Sequence, residues 1–506
     1  MYKVLKSDRD AYITNRVIKS HRVVDSNVGY AGTLDLFKLY GSTMSGSTIN
    51  TELSRLLIHY DLDPLRSLVT AGKVDMNSTS FNCTLKLFDV YGGQPTPSNF
   101  TVTVHALSRS FEEGLGKDVV YYADTDVCNF LSGSRAQGAW LMSGCALSGG
   151  LPGLVDYVTA STTILGGASL RKTQLFTTGE EDLEVNVTSL VSATIAGLLP
   201  DEGFRIALND DLEINQRSYF VKRFASRTAY NEDKRPKLIV KYDDSILDDS
   251  RSLYLDSTSN IFLFNYVHHQ LTNLKSGSLL TQITGSNSLL LKLMTEISGG
   301  TYTLTFTGSQ HKNGINFVTG AYSASVLLES TNSTFVSKLV QSSSILMTPI
   351  WGSLDGTVAY HTGSKLRVFP PERGSLSLGS KKYIISCNGL QESHFSDDSV
   401  HVGVHIFDAS SPTIIANRIP AELPGIVIRD VHYQVRNNTT GLIEIPFDTT
   451  YNSTRLSSDA KGMQFNLDMS NLTKNRSYVI DILVLIGSNR FVYRDASPVF
   501  RISDLR

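Results

Sequence analysis

The sequence is poor in cysteine, tryptophan, net charge, long apolar runs and long helical patterns, and each shortage excludes something. Four cysteines, Cys83, Cys128, Cys145 and Cys387, stand in 506 residues. They are too few for a disulfide framework, none forms a C-x-x-C pair, and their spacing suits no zinc site, so they are expected to be buried small hydrophobes. Lys and Arg number 46 against 48 Asp and Glu, a formal net charge of −2. That balance builds no basic field and argues against nucleic acid as a principal partner. The longest apolar runs, such as Ile480–Ile486 with Asp481 inside it, fall far short of the roughly 20 residues that a spanning helix needs. Residues 1–20 carry charges throughout and lack the apolar stretch of a secretory signal. The expectation is a chain made in a host cytoplasm that stays soluble, with no membrane partner. Sequons such as Asn77, Asn82, Asn186, Asn332, Asn452 and Asn471 would then meet no glycosylation machinery.

What is abundant is strand pattern. Short β-branched and aromatic segments recur between Gly, Asn, Ser and Asp: Thr33–Tyr40, Ser54–Tyr60, Thr84–Val90, Phe100–His105, Lys237–Tyr242, Thr301–Thr307, Ser323–Leu328, Val400–Phe407 and Ser477–Ile486. Several alternate with period two, as half-buried strands of sandwiches do. Helical signals are few. Pro64–Ala71 opens on a proline suited to a first turn and stops at Gly72, and Thr188–Leu198 sets Leu190, Val191, Ile195 and Leu198 on one face. Asn265–Leu274 and Ser288–Glu296 read equally as helix or strand. The pattern predicts an all-β chain.

An acidic break at Asp243–Ser252 and a Pro-Pro turn at Phe369–Gly374 mark two boundaries. The expected division is a sandwich over 1–245, a second over 250–372 and a third over 373–506.

The first part carries an ordered set of motifs: Asp10–Ile13, Asn27–Leu36, Ser54–Leu62, Leu85–Val90, Ser108–Gly114 (SRSFEEG), Val185–Thr188, Gly203–Ala207, Phe224–Arg227 (FASR) and Arg235–Tyr242 (RPKLIVKY). In order and spacing these resemble the DNRLRE domain, a jelly roll similar to carbohydrate-binding modules. The resemblance implies an N-terminal jelly-roll sandwich, followed by two Ig-like or fibronectin-like β-sandwiches. Two stretches depart from that family, Lys117–Gln137 before Trp140 and the Gly/Ser-rich Leu147–Gly167. Further on, Trp351–Phe369, Glu422–Arg436, Ile445–Tyr451, Leu456–Ser470 and Ala496–Ile502 resemble virion structural proteins of tailed marine phages.

Candidate chemistry is sparse. Acidic pairs at Glu112-Glu113, Glu180–Asp182, Asp210-Asp211 and Asp397-Asp398 are expected to be solvated turns rather than the spaced carboxylates of a glycosidase. His268-His269 points to opposite faces of a strand, while His401 and His405 share a face without a carboxylate or cysteine ligand set. The serines of Gly41–Ser45 and Gly133–Arg135 do not fit the G-x-S-x-G elbow. No enzyme activity and no cofactor are therefore expected. Sugar stacking would use exposed aromatics, for which Tyr30, Tyr91, Tyr121, Tyr122, Trp140 and Tyr157 are candidates, with Tyr121, Tyr122 and Trp140 foremost. The resemblance to sugar-binding modules also leaves open a calcium ion held by Asp8, Asp10 and Asp243.

Taken with the resemblances, these readings lead to one principal expectation: a phage virion structural protein of the tail, baseplate or another external assembly. Its partners would be other virion proteins and copies of itself in a symmetric assembly. A glycan-binding adhesin or receptor-binding module, with a host-surface glycan as partner, is the alternative, and a head decoration protein is a third reading.

Overall fold

A computed structural model describes the chain except residues 20, 41–50, 72–73, 91–96, 137, 160–168, 216, 246, 248–251, 268–269, 278–279, 298–299, 314–315, 343, 371–382, 409–425, 460–461, 487–488 and 505–506. The His268-His269 doublet, Tyr91, the Gly41–Ser45 run and most of the Pro-Pro turn lie outside the described residues. Strand accounts for 50% and helix for 9%, so the chain is all-β, built of several sandwich sheets. By density of contacts it divides into two units, Tyr2–Ser67 with Phe81–Lys241, and Met1 with Leu68–Ser80 and Tyr242–Arg506.

In the first unit one long strand serves two layers. Tyr2–Thr14 pairs through residues 2–6 with Lys237–Lys241 and, beyond an irregularity between Ser7 and Arg9, through residues 7–14 with Thr51–Tyr60. A bulge at that point bends the strand and lets it leave one sheet for the other. Asn82–Leu87 and Leu183–Asn186 extend the first layer; Phe204–Leu208, Phe100–Leu107 and Lys172–Phe176 extend the second. Neighbours far apart in sequence are the rule, an arrangement consistent with a jelly-roll sandwich. Apolar residues from the inner faces, among them Leu56, Ile58, Leu85, Val104, Ile206, Leu238 and Val240, are buried.

In the second unit, strands from Ser252 to Phe369 form an 8-stranded sheet over a core of Leu291, Leu293, Tyr322, Met347 and Trp351. Strands from Tyr383 to Ser503 form a 4-stranded and a 6-stranded sheet. Tyr433 of the larger stacks on Phe465 of the smaller with ring centres 4.1 Å apart, so the two face each other as a sandwich. At the start of Ser477–Ile486, the buried Tyr478 hydroxyl donates to the Thr473 carbonyl and accepts from the Thr473 N–H, both at 3.0 Å. A tyrosine reaching back to backbone a few residues upstream is a hallmark of immunoglobulin-like sandwiches.

Local signals fared unevenly. The Pro64 signal yields the helix Asp63–Thr70, and the second yields Thr188–Ile195 with Leu190 and Val191 buried. Leu198, expected on that buried face, lies beyond the helix end and is 43% exposed. The ambiguous Asn265–Leu274 contains the two-stranded pair Tyr266–Val267 and Gln270–Leu271, while Leu289–Ile297 is a strand whose backbone pairs on both edges. Helices Asp210–Ile214 and Ser333–Gln341 were not expected; the second buries Phe335 and begins where the Asn332 side chain accepts from Thr334 N at 3.0 Å. All four cysteines are free and buried, as expected. No helix among the described residues is long and apolar enough to cross a membrane.

The Tyr478 hydroxyl satisfies two buried backbone groups at once. Tyr478→Phe should therefore lower stability by about 1–3 kcal/mol, the cost of leaving such groups unpaired. Urea unfolding of the full chain checks this; a superimposable curve would mean the bonds contribute nothing.

Candidate functional site

The site is set by what covers the second layer of the N-terminal sandwich. Every residue from Ser54 to Tyr60 is buried, so both faces of that strand are covered. On its outer face Ala11, Ile13, Leu57 and Leu107 pack with Phe111, Cys128, Trp140 and Cys145 from the segment that follows Leu107. The Asp156 carboxylate, wholly buried, organises that segment by accepting from the N–H groups of Leu141, Met142 and Leu147 at 2.8, 3.0 and 3.0 Å. Beneath it lies a polar patch. Arg205, opposite His105 in register, donates from Nε to Cys145 O at 2.9 Å and places its guanidinium 4.1 Å from the centre of the Tyr157 ring. Arg55 pairs with Glu213 at 2.7 Å. Burial, and then the neighbouring Arg205, push the His105 pKa down to about 3, so this imidazole is neutral in the fold.

This arrangement corrects the expectation for Trp140. It is 5% exposed, its Nε1 donates to Asn129 O at 3.0 Å, and its ring plugs the sheet face rather than forming a stacking platform. Tyr157 is likewise buried. Tyr121 and Tyr122 are exposed, at 82% and 40%. They sit on a turn closed by Asp118, whose carboxylate accepts from Val120 N and Tyr121 N at 2.7 and 2.8 Å.

That turn is joined to two other loops at one end of the sandwich. Asn27 N–H donates to Tyr122 O at 2.8 Å, and Tyr30 N–H donates to Gly116 O at 2.7 Å. The Asn27 amide donates to Glu113 O and Cys128 O, at 2.8 and 2.9 Å, and its oxygen accepts from Gly116 N at 2.7 Å. These loops approach so closely that only glycine fits at two points. A Cβ on Gly29 would fall 1.7 Å from Glu113 O, and one on Gly116 2.0 Å from Asn27 O. The third loop is tied in by Thr228, whose hydroxyl donates to Ala31 O at 2.7 Å.

Glu113 locks the three together. Its carboxylate accepts from Asp10 N–H at 2.9 Å and from Nε of Arg227 at 2.9 Å, and pairs also with Nη2 of Arg227. Arg227 N–H in turn donates to the Asp10 carboxyl at 2.5 Å. The Glu112-Glu113 pair is thus not a solvated turn throughout. Glu112 is exposed, whereas Glu113 is 13% exposed at its side chain and neutralises an arginine. Burial pushes the Asp10 pKa up to about 7 against the pull of the Arg227 N–H, with the Glu113 charge adding to the rise.

Between the loops opens a cavity of about 460 Å³ lined by Tyr30, Gly32, Lys117, Arg227, Thr228 and Arg235. Three of the six are cations. Lys117 holds its ammonium 5.7 Å from the centre of the Tyr30 ring, and that ring is 42% exposed. Arg235 donates from Nε to Ala229 O at 3.0 Å and from Nη1 to Glu232 at 3.1 Å. Sequence reasoning reached Tyr30 but missed the cations. Arg227 and Arg235 did stand inside quoted motifs, FASR and RPKLIVKY; nothing local announced that Lys117 joins them from over a hundred residues away.

The remaining candidates serve structure. Glu181 accepts from the N–H groups of Thr177, Thr178 and Gly179 to close a turn, Asp210 and Asp211 open the helix Asp210–Ile214, and Asp398 accepts from Phe395 N at 2.8 Å. His401 bonds Asn466 and His405 bonds Asn388, each at 2.9 Å. The three aspartates weighed for calcium are each engaged: Asp8 by His59 at 2.6 Å, Asp10 by Arg227 and Asp243 by Arg455 at 2.9 Å. Among the described residues no group of three or more His, Cys, Asp or Glu is placed to hold a metal ion.

Asp10 gives the clamp a pH dependence whose sign follows from its raised pKa. Unfolded, it ionises near 3.8; folded, it keeps its proton to about pH 7. The unfolded state therefore binds fewer protons between these values, and the Asp10 contribution, complete below pH 3.8, is lost as pH rises through 7. Asp10→Asn keeps an acceptor for Arg227 N–H without the buried charge. Relative to wild type it should raise the melting temperature at pH 8 and change it little at pH 4. A variant less stable at pH 8 would overturn this assignment. Glu113→Gln should instead cost about 1–3 kcal/mol at pH 8.

Compared with protein-family models and with curated proteins, the chain matches none.

Proposed function

We propose that the chain is a structural protein of a bacteriophage virion, in the tail, the baseplate or another external assembly, and works through protein–protein contacts. The observation that carries this reading is the set of resembling stretches beyond residue 350. Two of them take in framework strands: Trp351–Phe369 takes in Ala359–Thr362 and Leu366–Phe369, and Leu456–Ser470 takes in Ser457–Asp459 and Gly462–Asp468. Likeness in strands concerns the scaffold itself rather than one loop. Sandwiches suit the role because two packed sheets resist deformation while their loops vary. Partners in this reading are other virion proteins and copies of the same chain around a symmetry axis. Placement as a head decoration is the remaining position within the same class.

A second role is favoured by one specific feature, the cavity between the three loops, lined by the exposed Tyr30, with Tyr121 and Tyr122 exposed on the turn that follows Lys117. That end of the sandwich has the form of a recognition surface for a host glycan, carried on the particle by the rest of the chain.

Purified particles of the virus that encodes the chain should contain it at a fixed ratio to the major capsid protein, as measured by quantitative mass spectrometry. Its absence from intact particles, with expression in infected cells, would overturn the structural role.

A further inference from the structure

We propose that the cavity lined by Tyr30, Lys117, Arg227, Thr228 and Arg235 binds an acidic saccharide. The oxyanion, a carboxylate or a sulfate ester, would meet the three cations, and the sugar ring would lie against Tyr30. This deepens the recognition reading of the same loops and rests on it.

Charge comes first. Lys117, Arg227 and Arg235 converge on one opening, whereas the carboxylates paired with them, Glu113 and Glu232, are two. While Asp10, the third carboxyl against Arg227, keeps its proton, the cavity therefore keeps an excess positive charge in a partly desolvated place, where attraction for an anion exceeds that of an open surface. Hydrogen bonding agrees. Arg227 commits Nε and Nη2 to Glu113, which leaves Nη1; Arg235 commits Nε and Nη1, which leaves Nη2. Planar guanidinium groups fixed in this way present donors suited to a carboxylate or sulfate at little entropic cost.

Aromatic geometry then selects a sugar over a bare anion. Tyr30 is half-exposed beside the cations, and its backbone is fixed by Gly116 O, so the point from which its ring projects is set before a ligand arrives. The Lys117 ammonium above that ring puts charge and apolar face side by side, as a saccharide with an acidic substituent requires. A cavity of about 460 Å³ accommodates one or two sugar residues.

Isothermal titration of the full chain tests this, with a uronic-acid tetrasaccharide, a sulfated tetrasaccharide, a neutral tetrasaccharide and inorganic sulfate as probes. At least one acidic oligosaccharide should bind, more weakly as salt is raised, and the neutral one should not. Lys117→Gln and Arg235→Gln should each weaken binding on the order of 10-fold, the loss of one charge-assisted hydrogen bond. Tyr30→Leu should weaken the oligosaccharide but not inorganic sulfate. Arg227 is left intact because it holds the loops together, and unchanged thermal unfolding establishes that each variant is folded.

No binding of either acidic oligosaccharide would overturn the proposal. So would equal binding of the neutral one, binding insensitive to all three variants, or inorganic sulfate binding as tightly as the oligosaccharides. Incorporation into particles is measured separately. A chain that is present in the virion yet binds no acidic sugar overturns this inference alone.

Discussion

Glu113 is the group on which the loop end of the N-terminal sandwich depends. Its carboxylate joins segments about a hundred residues apart in sequence: the strand at Asp10, its own Glu-Glu-Gly turn and the loop at Arg227. Unpaired, a carboxylate this shielded would be costly, and so would the arginine beside it. Together they satisfy the Asp10 N–H and leave the Arg227 backbone free to reach the Asp10 carboxyl. Asp10 can then keep its proton up to about pH 7, because the charge that answers Arg227 is already supplied by Glu113. Two carboxyl groups thus share one arginine in unequal states, the arrangement that burial and like-charge repulsion favour.

A second constraint is geometric. Bending the first strand between two layers leaves the outer face of Thr51–Tyr60 carrying Leu57 between Arg55 and His59, apolar and ionisable groups together. Such a face needs both an apolar cover and partners for Arg55 and for Arg205 of the neighbouring strand. Trp140, Phe111 and two cysteines provide the first, while Glu213 and the carbonyls of Gly144 and Cys145 provide the second. The covering segment is held by backbone bonds to Asp156, so its own sequence is free to vary wherever it faces solvent. Leu131, Leu141, Met142, Leu151 and Leu154 do so.

Much of the fold was legible because its signals are local. Period-two alternation located strands such as Lys237–Lys241, and the proline at 64 located a helix start. What was not legible was what lies opposite each strand. Trp140 follows a glycine-flanked stretch that departs from the jelly-roll resemblance and so reads as exposed; its burial is decided by Ala11, Leu57 and Leu107, distant in sequence. One sign was present in Ser54–Tyr60, where Leu56, Leu57 and Ile58 break the alternation, as a strand covered on both faces must. The pocket was half legible for the same reason. Tyr30 could be picked out by residue type and turn context, but convergence of Lys117, Arg227 and Arg235 is a property of three loops packed through Asn27 and Glu113.

The cations of the pocket differ in how firmly the scaffold owns them. Arg227 is part of the clamp, and its replacement would loosen the loops before it altered any ligand contact. Arg235 is fixed more lightly, by a carbonyl and by Glu232 within its own turn. Lys117 opens the stretch that departs from the jelly-roll resemblance, is exposed, and rests on the Tyr30 ring. Substitution at Lys117 would change the charge of the pocket at little cost to stability, since surface positions away from the clamp carry small energetic effects. The clamp thus fixes the Arg227 guanidinium in the pocket lining, while Lys117 beside it stays free to move without loosening the loops.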